Sequence, residues 1–521
     1  MYLKLLIIAF AMCCVKSYKI LVVFPMPVKS MNILGEGIVG HLLNAGHEVT
    51  YVTVFPIKNL QHKNLRQIDI SANMKIIESD AEINLTFIMT NPDEGFDLKE
   101  LQELAINSAV MTFENENLSN ILQDTNEHFD AVVIDLYETE LYSGLSALYN
   151  CPLIWAYSMG THWQVMRLVD QPTNPAFTSD YCSSNIPPLT FMQRIEELWA
   201  QIHWNAIKSF STKPQEEAIY KRIFGPLCEQ RGKMLPDYEE LIYNASLILA
   251  NDHLASNNNP STPQNFKLVG GYHIFTPTKP LPQDLQNLMD EAEYGVIYFS
   301  MGSVVKSKNM PKSVSKGLLE MFGQLKQTVL WKYEDDSLEN IPYNVHILKW
   351  APQQSILAHP KCLVFITHAG LLSSTEAIHF GVPIIGVPIF IDQFFNINKA
   401  VSRGYALRVD LTFDLAKNLK PAIEKMLSDK RYNQKAKELS LIYHDRPVAP
   451  GKELVHWVEH VVRTRGALHL RSPALQVPFY QKMYIDLFAA IILGVYISKI
   501  IIKLLLFRKH YATRERKQKI N

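Results

Sequence analysis

Cysteine is scarce in this chain. There are six in 521 residues, and Cys13 and Cys14 fall inside an apolar N-terminal run. The remaining four, Cys151, Cys182, Cys228 and Cys362, are scattered without metal-ligand spacing. That excludes a disulfide scaffold and a zinc module, and leaves room only for an isolated disulfide. A charge imbalance is also missing: 51 basic side chains face 51 acidic ones, so no net charge points to a nucleic-acid partner. Repeats at solenoid periods are absent. What is present is an apolar share of 47%, with aromatic and β-branched residues throughout. This excludes general disorder and supplies enough for large cores. A chain this long exceeds one compact domain, so two are expected.

The two ends carry topological signals. Residues 1–17 predict a secretory signal peptide: Lys4 supplies the positive start, Leu5 to Val15 is apolar but too short to span a bilayer, and Ser17 is a small residue near a cleavage point. At the other end, residues 485–507 predict a transmembrane helix. Leu487 to Phe507 is apolar apart from Ser498, Lys499 and Lys503, and these two lysines, four apart, share one face and can snorkel. An amphipathic surface helix is the alternative. The basic segment 508–521, with Arg508, Lys509, Arg514, Arg516, Lys517 and Lys519, belongs in the cytosol. Lys517 and Lys519 resemble a dilysine retrieval signal. The sequence therefore predicts a single-pass, type I protein of the endoplasmic reticulum membrane, with a lumenal body. The sequons at Asn84, Asn117 and Asn244 fit glycosylation in that compartment.

Between the ends lie two α/β blocks. In residues 18–275, apolar strands are expected at Lys19–Phe24, Glu48–Val54, Ala131–Asp135, Leu153–Ala156, Leu247–Ala250 and Lys267–Val269. Residues 157–245 read as mostly helical. The proline-rich run beginning at Thr276 marks a linker, residues 276–285. The second block, residues 286–445, has strands at Val296–Ser300, Thr328–Lys332, Val345–Leu348, Cys362–Thr367 and Pro383–Val387. Further helices, residues 446–484, lead to the membrane span. Short apolar strands alternating with helices predict parallel sheets covered on both faces.

One motif is set aside. Gly35-Glu-Gly-Ile-Val-Gly40 matches a dinucleotide fingerprint letter for letter. In that fold the glycines turn the chain directly after the first strand, and an acidic residue closes the second. Here about ten residues intervene after Phe24, and the second strand runs out into Phe55-Pro56. The glycines are expected on a helix that packs against the sheet.

The densest signal is Phe365-Ile-Thr-His368-Ala-Gly370-Leu-Leu-Ser373-Ser-Thr-Glu376, followed at fixed spacings by Pro383, Pro388 and Asp392-Gln393. A strand opening through small residues into a helix N-terminus presents free N–H groups to an anion. A nucleoside diphosphate suits that place. His368 can donate to it, Gly370 permits close approach, and Ser373 supplies an N–H. Glu376 can accept from two ribose hydroxyls, and Asp392 and Gln393 can grip a hexose. Trp350 offers a face for a base and Gln353 an amide edge. Ser373-x-x-Glu376 is also a capping box, so Glu376 could instead close its own helix.

This constellation, with Trp350-Ala-Pro-Gln353 and Ser300-Met-Gly-Ser303 upstream and Asp445-Arg-Pro downstream, resembles the UDP-glycosyltransferases of the animal detoxification type, glycosyltransferase family 1. The resemblance implies a GT-B fold, in which two Rossmann-like parallel-sheet domains face a cleft: an N-terminal acceptor domain and a C-terminal UDP-sugar domain. It implies a UDP-sugar as co-substrate with no cofactor and no metal, a small lipophilic acceptor, and donor contacts from Ser303, Trp350, Gln353, His368, Gly370, Ser373, Glu376, Asp392 and Gln393. Homo- or hetero-oligomers are compatible with it.

In such enzymes a histidine after the first strand takes the acceptor's proton, and an aspartate orients that histidine. The aspartate maps onto Asp135. The histidine position reads Ser30-Met31-Asn32, so the base is replaced by Met31, whose thioether accepts no proton. His41 and His47 lie on and after the following helix and are not assigned the role. Two readings follow. One is an inverting hexosyltransferase, glucose favoured over glucuronic acid, biased to amines or acidic acceptors. The other is a UDP-sugar-binding pseudoenzyme that modulates active relatives in the same membrane.

Overall fold

A computed structural model describes residues 17–58, 60–78, 84–91, 98–170, 172–255 and 261–518. Residues 1–16 of the expected signal peptide, residues 256–260 and Lys519 fall outside them. By chain contacts the molecule divides into Met1–Arg471 and Ser472–Asn521.

The larger unit holds two parallel sheets among its described residues. The first comprises β1 (Lys19–Phe24), β2 (Glu48–Thr53), β3 (Leu65–Asp69), β4 (Ala131–Asp135), β5 (Leu153–Tyr157), β6 (Leu247–Ala250) and β7 (Phe266–Leu268), in the order β3-β2-β1-β4-β5-β6-β7. The second comprises β8 (Val296–Ser300), β9 (Thr328–Lys332), β10 (Val345–Leu348), β11 (Cys362–Thr367), β12 (Ile384–Gly386) and β13 (Ala406–Arg408), in the order β10-β9-β8-β11-β12-β13. β1, β4, β8 and β11 are almost wholly buried, which is why they read as unbroken apolar runs. β3 and β13 were not expected. They are short edge strands, and their polar faces break the apolar pattern.

Each sheet winds outward in both directions from its first strand. The chain order therefore reverses between β1 and β4, and again between β8 and β11. Connections leaving such neighbours part company, and a crevice opens beyond their carboxyl ends. Met31 follows β1 and Asp135 ends β4; Ser303 follows β8 and His368 follows β11. All four were singled out from sequence, and the topology brings them to the two crevices.

The set-aside glycines lie in the middle of the helix Lys29–Asn44. A Cβ at Gly35 would sit 2.5 Å from the Tyr51 hydroxyl and 2.7 Å from Phe24, and one at Gly37 would sit 3.1 Å from Tyr272. Their smallness lets the helix lie close on the sheet. The helix Pro450–Arg463 returns to the same region: Leu454, Val458 and Val461 share a buried cluster with Ile20, Val22 and Leu34.

The smaller unit contains the helix Ile485–Gln518. Its segment Ile485–Ala512 is long and apolar enough to cross a membrane, and none of it is buried in protein. At 34 residues it is about 51 Å long, so the helix continues past the expected end at Phe507 into the basic segment.

Replacing Gly35 by alanine is expected to cost about 1–3 kcal/mol of stability through overpacking, read as a lowered thermal midpoint. An unchanged midpoint would contradict the packing role.

Candidate active site

The helix Leu371–Phe380 follows β11 after a three-residue turn, His368-Ala-Gly370. Ala369 takes a left-handed φ of 62°, and Gly370 is the N-cap. Ser373 therefore lies inside the first helical turn and not at the cap, which rules out the capping box. The Glu376 carboxylate is held elsewhere. Gln353 Nε2 donates to its Oε2 at 2.6 Å, and Gln354 Nε2 donates to its Oε1 at 2.9 Å. His273 Nε2 lies 3.5 Å from Oε1. Gln353 is itself fixed: its Oε1 accepts from the Tyr298 hydroxyl at 3.2 Å, and its amide reaches Ser373 Oγ at 3.2 Å. Burial alone would push the Glu376 carboxyl up, but the bonds from His273, Gln353 and Gln354 outweigh it and hold the group below its ordinary value. It stays an anion, and an acceptor with lone pairs to spare.

His368 packs against two glycines. A Cβ at Gly302 would meet its ring at 2.4 Å, and one at Gly370 would meet it at 2.5 Å. Burial, helped by the Lys332 charge, pushes the imidazole down to about 4. The ring is therefore neutral near pH 7 and carries one N–H to donate. Lys332 Nζ donates to the Gly302 carbonyl at 2.9 Å and pairs with Glu334 at 2.7 Å. Its ammonium also stands 5.5 Å from the Trp350 ring centre. Trp350 is 61% exposed, which excludes a core role and leaves a face free for stacking. Ser303, beside Gly302, is partly exposed.

Asp392 and Gln393 begin the helix Asp392–Ser402, entered through Ile391 at φ 53°. Asn396 Nδ2 donates to Asp392 Oδ2 at 2.6 Å. Burial still pushes the Asp392 carboxyl up to about 6. Gln393 uses its Oε1 to accept from Ile389 N at 2.8 Å, which leaves its NH₂ for a ligand. Asp392, Asn396 and Lys399 line a cavity of about 30 Å³ together with Gly160, Tyr181 and Asp252 from the first half.

The first half differs in character. Asp135 is fully buried; the Ser158 hydroxyl donates to its Oδ1 at 2.5 Å, and its Oδ2 has no partner among the described residues. Burial pushes this carboxyl up to about 7, against the Ser158 bond. Met31 is 8% exposed, in a cluster with Phe24, Tyr51 and Tyr272. The alternative histidines are committed elsewhere: His41 Nε2 bonds the Tyr272 carbonyl at 2.8 Å, and His47 lies 3.3 Å from Glu459. Sequence reasoning missed Tyr298, Gln354, His273, Lys332 and Ser158. Only Gln354, next to Gln353, carried a signal; the others are brought in by the fold.

Comparison with known proteins places these features in context. Residues 19–519 match the family model described as UDP-glucoronosyl and UDP-glucosyl transferase. UDP-glucosyltransferase 2 of Dactylopius coccus is 32% identical, over 96% of this chain and 95% of its own length. UDP-glucuronosyltransferase 2B1 of Rattus norvegicus is 29% identical, over 73% of this chain and 70% of its own. Among solved structures, TcCGT1 in complex with UDP aligns with a TM-score of 0.56 at 14% identity. It covers 86% of this chain and all of that one, a likeness of fold.

Two outcomes are expected here. Glu376→Ala weakens UDP binding about tenfold or more through lost charged hydrogen bonds, read by calorimetry; unchanged affinity would remove Glu376 from the site. For Asp135, the folded value of about 7 lies above the ordinary 3.8. The group therefore destabilises the fold progressively as pH rises through that window, and the penalty is constant above it. Asp135→Asn should gain stability on the parent over the same window, measured by denaturant melts across pH; parallel curves would refute the raised value.

Proposed function

This chain belongs to the family of UDP-glucuronosyl and UDP-glucosyl transferases, and we propose that it moves glucose from UDP-glucose onto small lipophilic acceptors, inverting the anomeric carbon. As a UDP-glycosyltransferase it works on a UDP-sugar donor. The reading of its donor site rests above all on the closed set Gln353–Glu376–Gln354 at the second switch point. Preference for glucose is supported by likeness along nearly the whole chain to an insect UDP-glucosyltransferase.

In this proposal the diphosphate lies at the N-terminus of the helix Leu371–Phe380, against Gly370 and the N–H of Ser373, with His368 donating one further hydrogen bond. Trp350 stacks on the uracil, Glu376 accepts from the ribose hydroxyls, and Ser303 borders the phosphates. Asp392 and the free amide of Gln393 hold the hexose. As the bond from C1 to the diphosphate oxygen breaks, charge grows on UDP, where prepositioned N–H groups stabilise it. The acceptor attacks the opposite face of C1.

At the base position Met31 cannot take a proton, and Asp135 has no imidazole to orient. For a neutral alcohol a missing general base costs a factor of about 10² to 10⁴. An amine brings its own lone pair, and an acidic phenol or a carboxylate arrives ionised. Proximity to the activated donor still acts on these. The body would lie in the lumen of the endoplasmic reticulum, with glycans at the exposed Asn84, Asn117 and Asn244, anchored by Ile485–Ala512. One observation favours the pseudoenzyme reading instead: the Asp135 carboxylate is tied to Ser158.

The test uses membranes bearing the full chain. Each UDP-sugar is offered in turn with an amine, an acidic phenol and an aliphatic alcohol, and products are read by mass spectrometry. Glucosylated amine or phenol without alcohol product is expected, and Met31→His should raise alcohol transfer by about 10² to 10⁴. Efficient alcohol transfer by the unaltered chain would refute the acceptor bias. UDP binding without any product would establish the pseudoenzyme.

A further inference from the structure

Just past β4, a tight turn from Tyr137 to Thr139 places Glu138 in the left-handed region, at φ 51°. A β-carbon-bearing residue rarely sits there, and such outliers concentrate at functional sites. Glu138 lines a cavity of about 20 Å³ with Tyr137, Tyr157, Gln164, Tyr181 and Trp204. That is room for one water-sized group. The Tyr181 hydroxyl donates to Glu138 Oε1 at 2.9 Å. With its amide turned, Gln164 donates to the same oxygen at 3.2 Å. Oε2 is sealed from solvent and has no hydrogen-bond partner within the geometric limits among the described residues.

The surrounding charges are already matched. Arg167, which lines the same cavity, pairs with Glu140. Lys208 Nζ lies 2.6 Å from Glu140 and 2.8 Å from Glu216. The Thr139 hydroxyl donates to Glu216 at 2.7 Å. Two buried cations thus balance two buried carboxylates. His162 lies 3.2 Å from Asp180, whose same oxygen accepts from the Trp163 indole at 2.7 Å. Lys208 and His162 act on Glu138 only through space. Of the two acids that line this cavity, Glu140 is ion-paired and Glu138 is not, and an uncompensated carboxylate in an aromatic chamber favours a small cationic head. Tyr181, its hydrogen-bond partner, also lines the cavity that holds Asp392. The carboxylate chamber and the hexose chamber therefore share a wall.

We propose that Glu138 is an acceptor-recognition residue that takes a protonated amine, so that amines, and not phenolates or carboxylates, are the preferred acceptors. The inference rests on the transferase reading above and decides between the two acceptor classes it left. The ammonium R–NH₃⁺ enters the chamber and gives one proton to Glu138 Oε2. Burial helps, because it pushes this carboxyl above its ordinary value despite the opposing Tyr181 bond, the Lys208 and His162 charges and the Trp204 indole. The neutral amine loses its tie to the carboxyl and gains a nucleophilic lone pair. The N–C1 bond forms, the bond from C1 to the diphosphate oxygen breaks, and UDP leaves with the electron pair. The proton shed by the new N-glucoside goes to solvent. An anionic acceptor would instead meet Glu138 as a like charge.

The experiment compares tryptamine, tryptophol and 4-nitrophenol with the full-length chain, Glu138→Gln and Glu138→Asp. Tryptamine Kd is measured by calorimetry in the presence of UDP, and kcat/KM with UDP-glucose. Glu138→Gln should weaken tryptamine binding about tenfold or more, the worth of a charged hydrogen bond, and leave 4-nitrophenol unchanged or improved. Glu138→Asp, which keeps the charge and tolerates the left-handed φ, should restore much of the amine preference. An equal loss for amine and phenol, or a tryptamine Kd unmoved by Glu138→Gln, would overturn the proposal. Because the Kd is read without turnover, absence of product from every acceptor would count against the transferase reading alone.

Discussion

Glu376 is a buried anion that must be satisfied, and the arrangement that satisfies it organises the donor half. Its partners come from two places: Gln353 and Gln354 donate from after β10, and His273 Nε2 stands 3.5 Å away at the end of the first half. Gln354 also reaches the His273 carbonyl, at 3.4 Å. One carboxylate therefore ties two sequence-distant halves together beside the turn where an anionic ligand would lie. An unpaired charge at that depth would be costly, so the start of the helix Gln353–Ala358 is held in one geometry.

The carboxyl groups around the two crevices fall into two kinds. Glu376 is held below its ordinary value because its anion is surrounded by donors. Asp135, Glu138 and Asp392 are all raised, because each is buried with fewer donors than its oxygens can use. A group built to accept hydroxyls needs permanent charge. A group that handles protons needs a value near that of its surroundings.

Much of the fold was legible because buried parallel strands write themselves as apolar runs. β8 to β11 fall at the residues expected for them, and β12 is one residue shorter at each end. β3 and β13 were missed because an edge strand of three to five residues with a polar face has no such pattern. The helix after β11 could be placed, but whether Ser373 capped it could not. Both readings satisfy the same four-residue spacing, and only the position of Gly370 at the cap separates them. His273 and Ser158 were invisible because nothing local marks a residue whose partner lies about a hundred or more positions away, or on a neighbouring strand's end.

By itself the sequence determined the two-sheet architecture, the family and the apolar C-terminal helix, since each of these is written in local pattern or fixed spacing. Tertiary structure alone decided which charges are matched. Arg167, Lys208, Glu140 and Glu216 look like ordinary surface residues in the chain, yet they close on one another in the interior. The physical reason is that burial and pairing are properties of the assembled environment. A glutamate three residues past a strand becomes an unanswered charge only when every neighbouring cation has already been claimed.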